Sequence, residues 1–198
     1  MIEFINLSGE EPYALFKKNY HEAKNAGQKN IEAIVISSFN KEIKEVDSRF
    51  VNIKIIDNQN FIFFTNYNSP KAIAFNTFDQ ISALFYWSSI NTQIRMKAII
   101  NKTTKNFNND YFKKRNKEKN ALAISSDQSK PSTSYNEIVS KYENIKKTKN
   151  LLKCPDYWGG FSFIPYYFEF WEGHKSRVNK RLIFDKTDLD WKRSFLEP

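Results

Sequence analysis

Cysteine is almost absent from this 198-residue chain, since Cys154 is the only one. A single thiol excludes a disulfide within the chain and any zinc site built from several cysteines. We therefore interpret Cys154 as a small, buried or half-buried side chain. The chain also lacks a glycine-rich phosphate loop and the residue spacing of a zinc site, so we expect no bound metal.

Long apolar runs are missing as well. The run Phe61–Phe64, among the longest, is far too short to cross a bilayer. The first residues, Met1–Leu7, lack the basic region and apolar region of a secretory signal. From these two absences we expect a cytoplasmic protein with no membrane partner.

Aromatic and basic residues are abundant. The chain holds 18 phenylalanines and 10 tyrosines, and its formal net charge is +9. A chain of this length can form one domain with a substantial core, so we predict a single domain over residues 1–198, with 1–10 as a flexible N-terminus. The positive charge indicates an anionic partner, which is either a phosphorylated small molecule or a nucleic acid.

Hydrophobic patterns predict an antiparallel β protein with flanking helices. Spacing of this kind is typical of a barrel or sandwich. The predicted helices cover residues 12–26, 71–78, 108–123 and 134–149. The predicted strands cover residues 33–39, 49–56, 61–65, 80–87, 92–102, 161–164, 167–171, 181–184 and 191–196.

Two groups of side chains are candidates for binding an anion. Tyr111, Arg115 and Lys119 are each four residues apart, which places them on one face of the predicted helix over 108–123. Arg177 and Arg181 follow Trp171 closely, and two guanidinium groups beside an indole suit a flat, anionic ligand. The alternative for each group is a solvated, positively charged surface.

Six motifs occur in a characteristic order along the chain. They are Arg49-Phe-Val-Asn-Ile-Lys54, Phe64-Thr-Asn-Tyr-Asn-Ser-Pro-Lys-Ala72, Trp158-Gly-Gly160, Glu169-Phe-Trp171, Arg177-Val-Asn-Lys-Arg181 and Trp191-Lys-Arg-Ser-Phe-Leu-Glu-Pro198. With them the chain resembles the pyridoxine (pyridoxamine) 5′-phosphate oxidases, FMN-dependent enzymes of vitamin B6 metabolism. The resemblance runs from about Pro12 to the end of the chain.

This resemblance implies a fold, an assembly and a reaction. The fold is an antiparallel, FMN-binding split β-barrel with flanking helices. The assembly is a homodimer with FMN at the subunit interface, where the C-terminal strands in 166–198 complete the active site. The reaction is oxidation of pyridoxine or pyridoxamine 5′-phosphate to pyridoxal 5′-phosphate, with O2 as electron acceptor and H2O2 as product. No nucleic acid takes part.

The resemblance also implies roles for individual residues. Arg177 and Asn179 would act on the substrate at the catalytic centre. The other substrate-binding residues would be Lys54, Tyr111, Arg115 and Lys119. The FMN-binding residues would be Arg49, Phe50, Val51, Asn52, Ile53, Lys54, Phe64, Thr65, Lys71, Gln93, Gln128, Ser129, Trp171 and Arg181.

The chain departs from the family pattern at three positions. Pro70 replaces an arginine next to Lys71, Lys119 replaces a serine, and Asn179 replaces a histidine beside the substrate. Two alternatives stay open, and the changes at Lys119 and Asn179 motivate the first of them. One is a related FMN-dependent oxidase acting on another anionic ring compound, as in phenazine-type pathways. The other is a binding protein without catalysis that holds flavin, pyridoxal phosphate or nucleic acid.

Overall fold

The computed structural model describes residues 1–198 and contains ten strands and five α-helices. The strands are β1 (Glu3–Ile5), β2 (Ala33–Asn40), β3 (Glu45–Asn52), β4 (Ile55–Asp57), β5 (Asn60–Asn66), β6 (Gln80–Trp87), β7 (Thr92–Lys102), β8 (Trp158–Glu172), β9 (Lys180–Lys186) and β10 (Trp191–Phe195). The helices are α1 (Glu11–Asn25), α2 (Pro70–Thr77), α3 (Lys105–Lys114), α4 (Lys117–Ser125) and α5 (Tyr135–Thr148).

The strands form one sheet, and two different strands, β5 and β9, pair with the same edge of β8. The main path runs β1-β4-β5-β8-β7-β6-β2-β3, and β9 pairs with both β8 and β10. β7 follows nearly the whole of β8 on one side. On the other side, β5 pairs with residues 158–163 and β9 with residues 167–172. Pro165 lies in the gap between them, where an absent backbone N–H is tolerated. All pairs are antiparallel except β1 with β4, which confirms the predicted fold class.

Most predicted elements are confirmed, and two strand boundaries were wrong. The predicted strand over 49–56 is two strands, because β3 pairs with β2 while β4 turns to pair with β5. The predicted strands over 161–164 and 167–171 are one strand, β8. A bulge opposite Lys97 and Ala98 absorbs Tyr166, so the strand continues through Pro165.

The core lies between α1 and the sheet and consists largely of aromatic rings. Helical periodicity predicts that Phe16, Tyr20 and Ala23 share one face of α1, and all three are buried. Phe16 meets Phe61 edge to face at 5.1 Å between ring centroids, and Phe61 stacks on Phe163 at 5.2 Å. Such pairs add roughly 0.5–1.5 kcal/mol each beyond the burial of their surface.

The helix predicted over 108–123 is interrupted. α3 ends at Lys114, Arg115 adopts an extended conformation, and Asn116 caps the first turn of α4 by accepting from the backbone N–H groups of Glu118 and Lys119. An asparagine before a helix competes for these N–H groups and favours a new start. Tyr111, Arg115 and Lys119 therefore do not share one continuous helical face.

α5 begins as predicted, with the Ser134 hydroxyl accepting from the N–H of Glu137. Helical periodicity predicts an inner face formed by Ile138, Tyr142 and Ile145. This prediction was wrong, because the helix has no fully buried residue. Tyr142 and Ile145 are half-buried, and Ile138 is exposed.

The N-terminal residues 1–10 include β1, and Ile2 is buried with its N–H donating to the Tyr20 hydroxyl at 3.0 Å. Among the helices, none combines the length and the apolar character that a membrane crossing requires.

Gly159 provides a test of the packing at the start of β8. A Cβ at this position would clash with the Tyr67 hydroxyl and the Asn108 amide. These groups cannot easily move, since Asn108 donates to Tyr67 and accepts from the N–H of Gly160. We expect Gly159→Ala to lower the free energy of unfolding by about 1–3 kcal/mol in a denaturant titration. Gly9→Ala is the matched control, because its Cβ would meet nothing within 4 Å. Equal stability of the two variants would contradict this packing.

Candidate functional site

A cavity of about 570 Å³ lies between the sheet and the α3–α4 junction. Eleven of its thirteen lining residues are ones to which the sequence analysis assigned a binding role. They are Phe50, Val51, Asn52, Lys54, Phe64, Thr65, Lys71, Tyr111, Arg115, Lys119 and Gln128, and the other two are Asn116 and Leu122. The strands β3 and β5, α2 and the α3–α4 junction thus converge on one site.

The cavity wall is positively charged. Four cationic side chains line it, and no aspartate or glutamate does. Lys54 is the only one of the four in a salt bridge, since its Nζ lies 3.5 Å from Glu32, which does not line the cavity. A concave surface of one charge sign attracts ligands of the opposite sign. The site therefore suits a ligand with one or more phosphate groups.

Lys71 is the most informative of these cations, because it is buried without a carboxylate partner. It is 8% exposed, and its Nζ donates a hydrogen bond to the Ser69 hydroxyl at 3.2 Å. Burial, together with the positive charge of Arg49, lowers the pKa of Lys71 to about 8, although Asp47 opposes the shift. An unpaired buried ammonium is costly, and a bound anion would remove this cost.

Ser69 and Pro70 direct Lys71 into the site. Pro70 occupies the first position of α2, and Ser69 precedes it in an extended conformation. The Ser69 side chain does not cap the helix; its hydroxyl donates to the Asn66 carbonyl at 2.7 Å and accepts from Lys71. The free N–H groups of α2 therefore begin beside the Lys71 ammonium.

Arg49 approaches the same region from β3. Its guanidinium donates to the Ser38 hydroxyl at 2.8 Å and forms an ion pair with Asp47. Asp47 is largely exposed, with 66% of its side chain accessible, so this pair is weak and can be exchanged for another anion.

The aromatic rings of Phe64 and Tyr111 also line the cavity. Tyr111 stacks on Phe64 with 3.7 Å between ring centroids, and Phe64 stacks on Trp158 at 5.2 Å. Burial raises the pKa of the Tyr111 phenol, so the hydroxyl remains a proton donor at neutral pH. The Arg115 guanidinium lies 5.0 Å from the Trp158 ring centroid and donates to the Lys119 carbonyl at 2.9 Å. These contacts fix Arg115 at the cavity wall.

A second set of predicted residues lies away from this cavity, on β7, β8 and β9. Gln93 is directly opposite Trp171, and Trp171 is directly opposite Arg181, so the three side chains form a row on one face of the sheet. Arg177 and Asn179 lie in the loop between β8 and β9. Asn179 accepts from the His174 N–H at 3.0 Å, and Arg177 has a positive φ of 60°.

Comparison with known proteins identifies the family of this chain. Residues 158–198 match the family model described as the pyridoxine 5′-phosphate oxidase C-terminal dimerisation region. The chain is 32% identical to the pyridoxine/pyridoxamine 5′-phosphate oxidase of Leptospira biflexa over 193 residues, which cover 96% of this chain and 91% of that protein. The chain belongs to the pyridoxine/pyridoxamine 5′-phosphate oxidase family. It is therefore an oxidoreductase, and FMN is the cofactor.

Other relatives agree with this assignment. The chain is 32% identical to the chloroplastic pyridoxine/pyridoxamine 5′-phosphate oxidase 1 of Arabidopsis thaliana, over 95% of this chain and 37% of that longer protein. Two solved structures share the fold and confirm the predicted split barrel. PhzG of Burkholderia lata, solved with tetrahydrophenazine-1-carboxylic acid, has a TM-score of 0.89 at 23% identity and covers 96% of this chain and 93% of its own. An FMN-binding protein from Nostoc punctiforme has a TM-score of 0.76 at 11% identity, covering 93% and 96%.

Membership of the oxidase family confirms the resemblance read from the motifs, and the structure shows how the predicted residues are distributed. The cavity collects eleven of them. Two others are not among its lining residues: Ile53 is fully buried in the core, and Ser129 is exposed, with a φ of 66°. The remaining ones are Arg49 beside Lys71, the row on β7 to β9, and the β8–β9 loop.

Two charged residues beside the row received no role from sequence reasoning. Arg95 lies opposite Glu169 across β7 and β8, and Glu169 also binds Arg181. Glu169 was visible as part of the Glu-Phe-Trp motif, and its position two residues before Trp171 places it on the same face of the strand. Arg95 carried no local signal, since its partner is 74 residues away.

Proposed function

We propose that this chain oxidises pyridoxine 5′-phosphate or pyridoxamine 5′-phosphate to pyridoxal 5′-phosphate, with O2 as electron acceptor and H2O2 as product. The observation that carries the proposal is the cavity itself: four cations and no carboxylate line it, and they are the residues that the family motifs assign to two phosphate groups. The bound flavin would supply the redox chemistry by accepting a hydride from the substrate C4′ carbon.

Lys71 and Arg49 would hold the FMN phosphate. Lys71 is buried without an anionic partner, and Arg49 has only an exposed aspartate that a phosphate can replace. The first N–H groups of α2 would add neutral donors. Gln128 closes this end, because its side-chain oxygen accepts from the Thr65 hydroxyl at 3.1 Å and from the Asn66 N–H at 3.3 Å.

Lys54, Tyr111, Arg115 and Lys119 would hold the substrate phosphate. All four line the same cavity, although they come from β3–β4 and from both sides of the α3–α4 break. Arg115 is anchored on Trp158, so its guanidinium is ordered before a ligand arrives. A pre-ordered charge loses less entropy on binding than a mobile one.

The row on β7 to β9 and the β8–β9 loop would complete the site in a homodimer, each subunit contributing them to the cavity of the other. Residues 158–198 contain most of this set and match a dimerisation region. Large apolar side chains near both sets are exposed in the single chain: Phe50 (73%), Tyr86 (56%), Val178 (68%) and Phe195 (61%). A buried interface would remove such surface from water.

The proposal is tested by adding FMN and then each phosphate ester to the purified protein. We expect a yellow protein that releases hydrogen peroxide and pyridoxal 5′-phosphate in equal amounts. A protein that stays colourless after incubation with FMN would overturn the proposal.

One observation favours a second candidate, an FMN-dependent oxidase acting on another anionic ring compound. Asn179 stands where a histidine is usual, and its side chain is occupied by the His174 N–H within the loop. It also cannot carry a proton charge near neutral pH. Bound FMN without turnover of either B6 phosphate ester would support this candidate over the first.

The pKa of Lys71 leads to a prediction about pH. A phosphate beside Lys71 favours the ammonium form, whereas in the free protein this group loses its proton at about pH 8. We therefore expect FMN affinity to be constant between about pH 7 and 8 and to fall above that by up to about tenfold per pH unit. Fluorescence titrations with FMN at several pH values in this range measure the affinity. A Lys71→Gln variant should bind more weakly and show a flat profile, so a parallel fall in that variant would contradict the role of Lys71.

The FMN-free protein should show the opposite trend in stability. The unfolded chain keeps its lysine protonated up to about the ordinary pKa of 10.5, while the folded state releases this proton near pH 8. Stability contributed by Lys71 therefore rises with pH between these values. Comparing the parent with Lys71→Gln in denaturant titrations at several pH values isolates the contribution.

A further inference from the structure

Glu169 is a buried carboxylate held between two arginines, and the proposed chemistry gives it no direct part. It lies on β8 and is 2% exposed. Its Oε1 accepts from Arg181 Nε at 2.8 Å. Its Oε2 accepts from Arg95 Nε at 3.1 Å, from Arg95 Nη2, and from the Tyr167 hydroxyl at 3.2 Å. Each bond joins β8 to an adjacent strand or joins two residues of β8 that are two positions apart, so the sheet itself fixes the cluster.

The cluster of Glu169, Arg95 and Arg181 carries a net positive charge. Burial opposes the ionised form of Glu169, but the hydrogen bonds from Arg181 and Arg95 outweigh it and hold the pKa of the carboxyl below its usual value. One carboxylate therefore faces two guanidinium groups, whose side chains are 27% and 39% exposed for Arg181 and Arg95. The surplus charge is therefore partly accessible to solvent.

The Arg181 guanidinium makes two hydrogen bonds within the chain, and its other N–H groups stay free. A guanidinium has five N–H donors. In Arg181, Nε donates to Glu169 and Nη1 donates to the Glu197 carbonyl at 2.9 Å. The other N–H groups of Arg181 have no hydrogen-bond partner within the chain, and Trp171 is the residue directly opposite Arg181 on β8. The side chain is thus fixed in orientation, with donors left for a ligand.

Fold stability alone does not account for this arrangement. Apolar residues of similar volume usually stabilise a fold as well as a buried ion pair does. An ion cluster that fixes an unsaturated guanidinium instead has a use in binding, because an ordered donor loses little freedom when a ligand arrives.

We propose that Glu169 and Arg95 are positioning residues that orient the guanidinium of Arg181 towards the flavin. The inference rests on the function proposed above, in which Arg181 belongs to the FMN site. Glu169 acts on the cofactor only through Arg181. Arg95 acts one step further out, by fixing the Glu169 carboxylate from the opposite strand.

A double-mutant cycle tests this inference. The measured quantities are the FMN dissociation constant, from fluorescence quenching on titrating FMN-free protein, and the absorption spectrum of the bound flavin. Glu169→Gln should weaken FMN binding roughly tenfold, because glutamine cannot serve both arginines and its amide N–H group would face a guanidinium. Arg181→Ala should weaken binding at least as much. In the double variant the dissociation constant should match that of Arg181→Ala alone.

A merely structural role would give a different result. Loss of general stability would weaken binding in the Arg181→Ala background by the same factor as in the parent, so additive effects would overturn the inference. An unchanged dissociation constant in Glu169→Gln would overturn it as well. Glu172→Gln is the matched control, since Glu172 is an exposed carboxylate on the same strand paired with Lys180, and its FMN binding should equal that of the parent.

A milder variant is available should Glu169→Gln fail to fold. Arg95→Gln leaves the Glu169–Arg181 pair intact and removes only the outer arginine, which is partly exposed. It should weaken FMN binding in the same direction and again show no added effect on Arg181→Ala; an additive effect would overturn the inference. A parent protein that binds no FMN would instead overturn the proposed function, so the two failures are distinguishable.

Discussion

An Arg177→Ala protein is expected to keep its FMN and to lose its turnover of pyridoxine 5′-phosphate by about a hundredfold or more. Arg177 lies in the exposed β8–β9 loop and is not one of the two cations that would hold the FMN phosphate. Its removal takes away a positive charge that the proposal places on the substrate, and leaves the cofactor contacts intact. Steady-state peroxide release and the absorbance of bound flavin measure the two effects separately.

Lys175→Ala provides the control for Arg177→Ala. Lys175 is exposed in the same loop and has no assigned role, so its removal should leave turnover near that of the parent. Equal losses in the two variants would show that the charge of the loop, and not the Arg177 side chain, is what matters. A colourless Arg177→Ala protein would contradict its assignment to the substrate.

Mixing variants tests whether the site is shared between subunits. Arg177→Ala and Arg115→Ala should each be nearly inactive alone. If each site takes Arg177 from one subunit and Arg115 from the other, a mixed dimer has one site without either substitution. Random reassortment should then restore about a quarter of the parent activity. No recovery, in a mixture shown to exchange subunits, would place both residues of a site in one chain.

An Arg49→Ala protein is expected to bind FMN about ten- to a hundredfold more weakly than the parent, which is the range for losing a charged hydrogen-bond donor. Arg49 stands beside Lys71, and the Asp47 partner that it now has is exposed and exchangeable. At saturating FMN, turnover should largely recover, because the residues assigned to the substrate remain. Fluorescence titration followed by assays over a range of FMN concentrations measures both effects.

Arg193→Ala is the matched control for Arg49→Ala. Arg193 lies on β10, is half exposed and pairs with Glu11, so its loss removes one arginine and one surface ion pair. FMN affinity should not change in this variant. An Arg49→Ala protein with the affinity of this control would remove Arg49 from the FMN site.

Elements with strong local signals were predictable from the sequence. β6 and β7 were predicted with the observed bounds, and α1 and α2 to within about one residue, because an alternating or helical pattern and a nearby proline specify them locally. The break at Arg115 was missed, since the basic run around it suits a helix and only the Asn116 cap divides it. The exposed face of α5 was missed because amphipathic periodicity does not say what covers a helix.

The candidate site likewise has features that the sequence predicts and features that only the tertiary structure shows. By itself the sequence determined the family, the cationic character of the site and eleven of the thirteen residues that line the cavity, because the motifs keep their residue types and order along the chain. Only the tertiary structure decided how these residues are held. It buries Lys71 without a carboxylate, and it joins Glu169 to both Arg95 and Arg181. These contacts depend on strand register between segments far apart in the chain, which local sequence patterns do not encode.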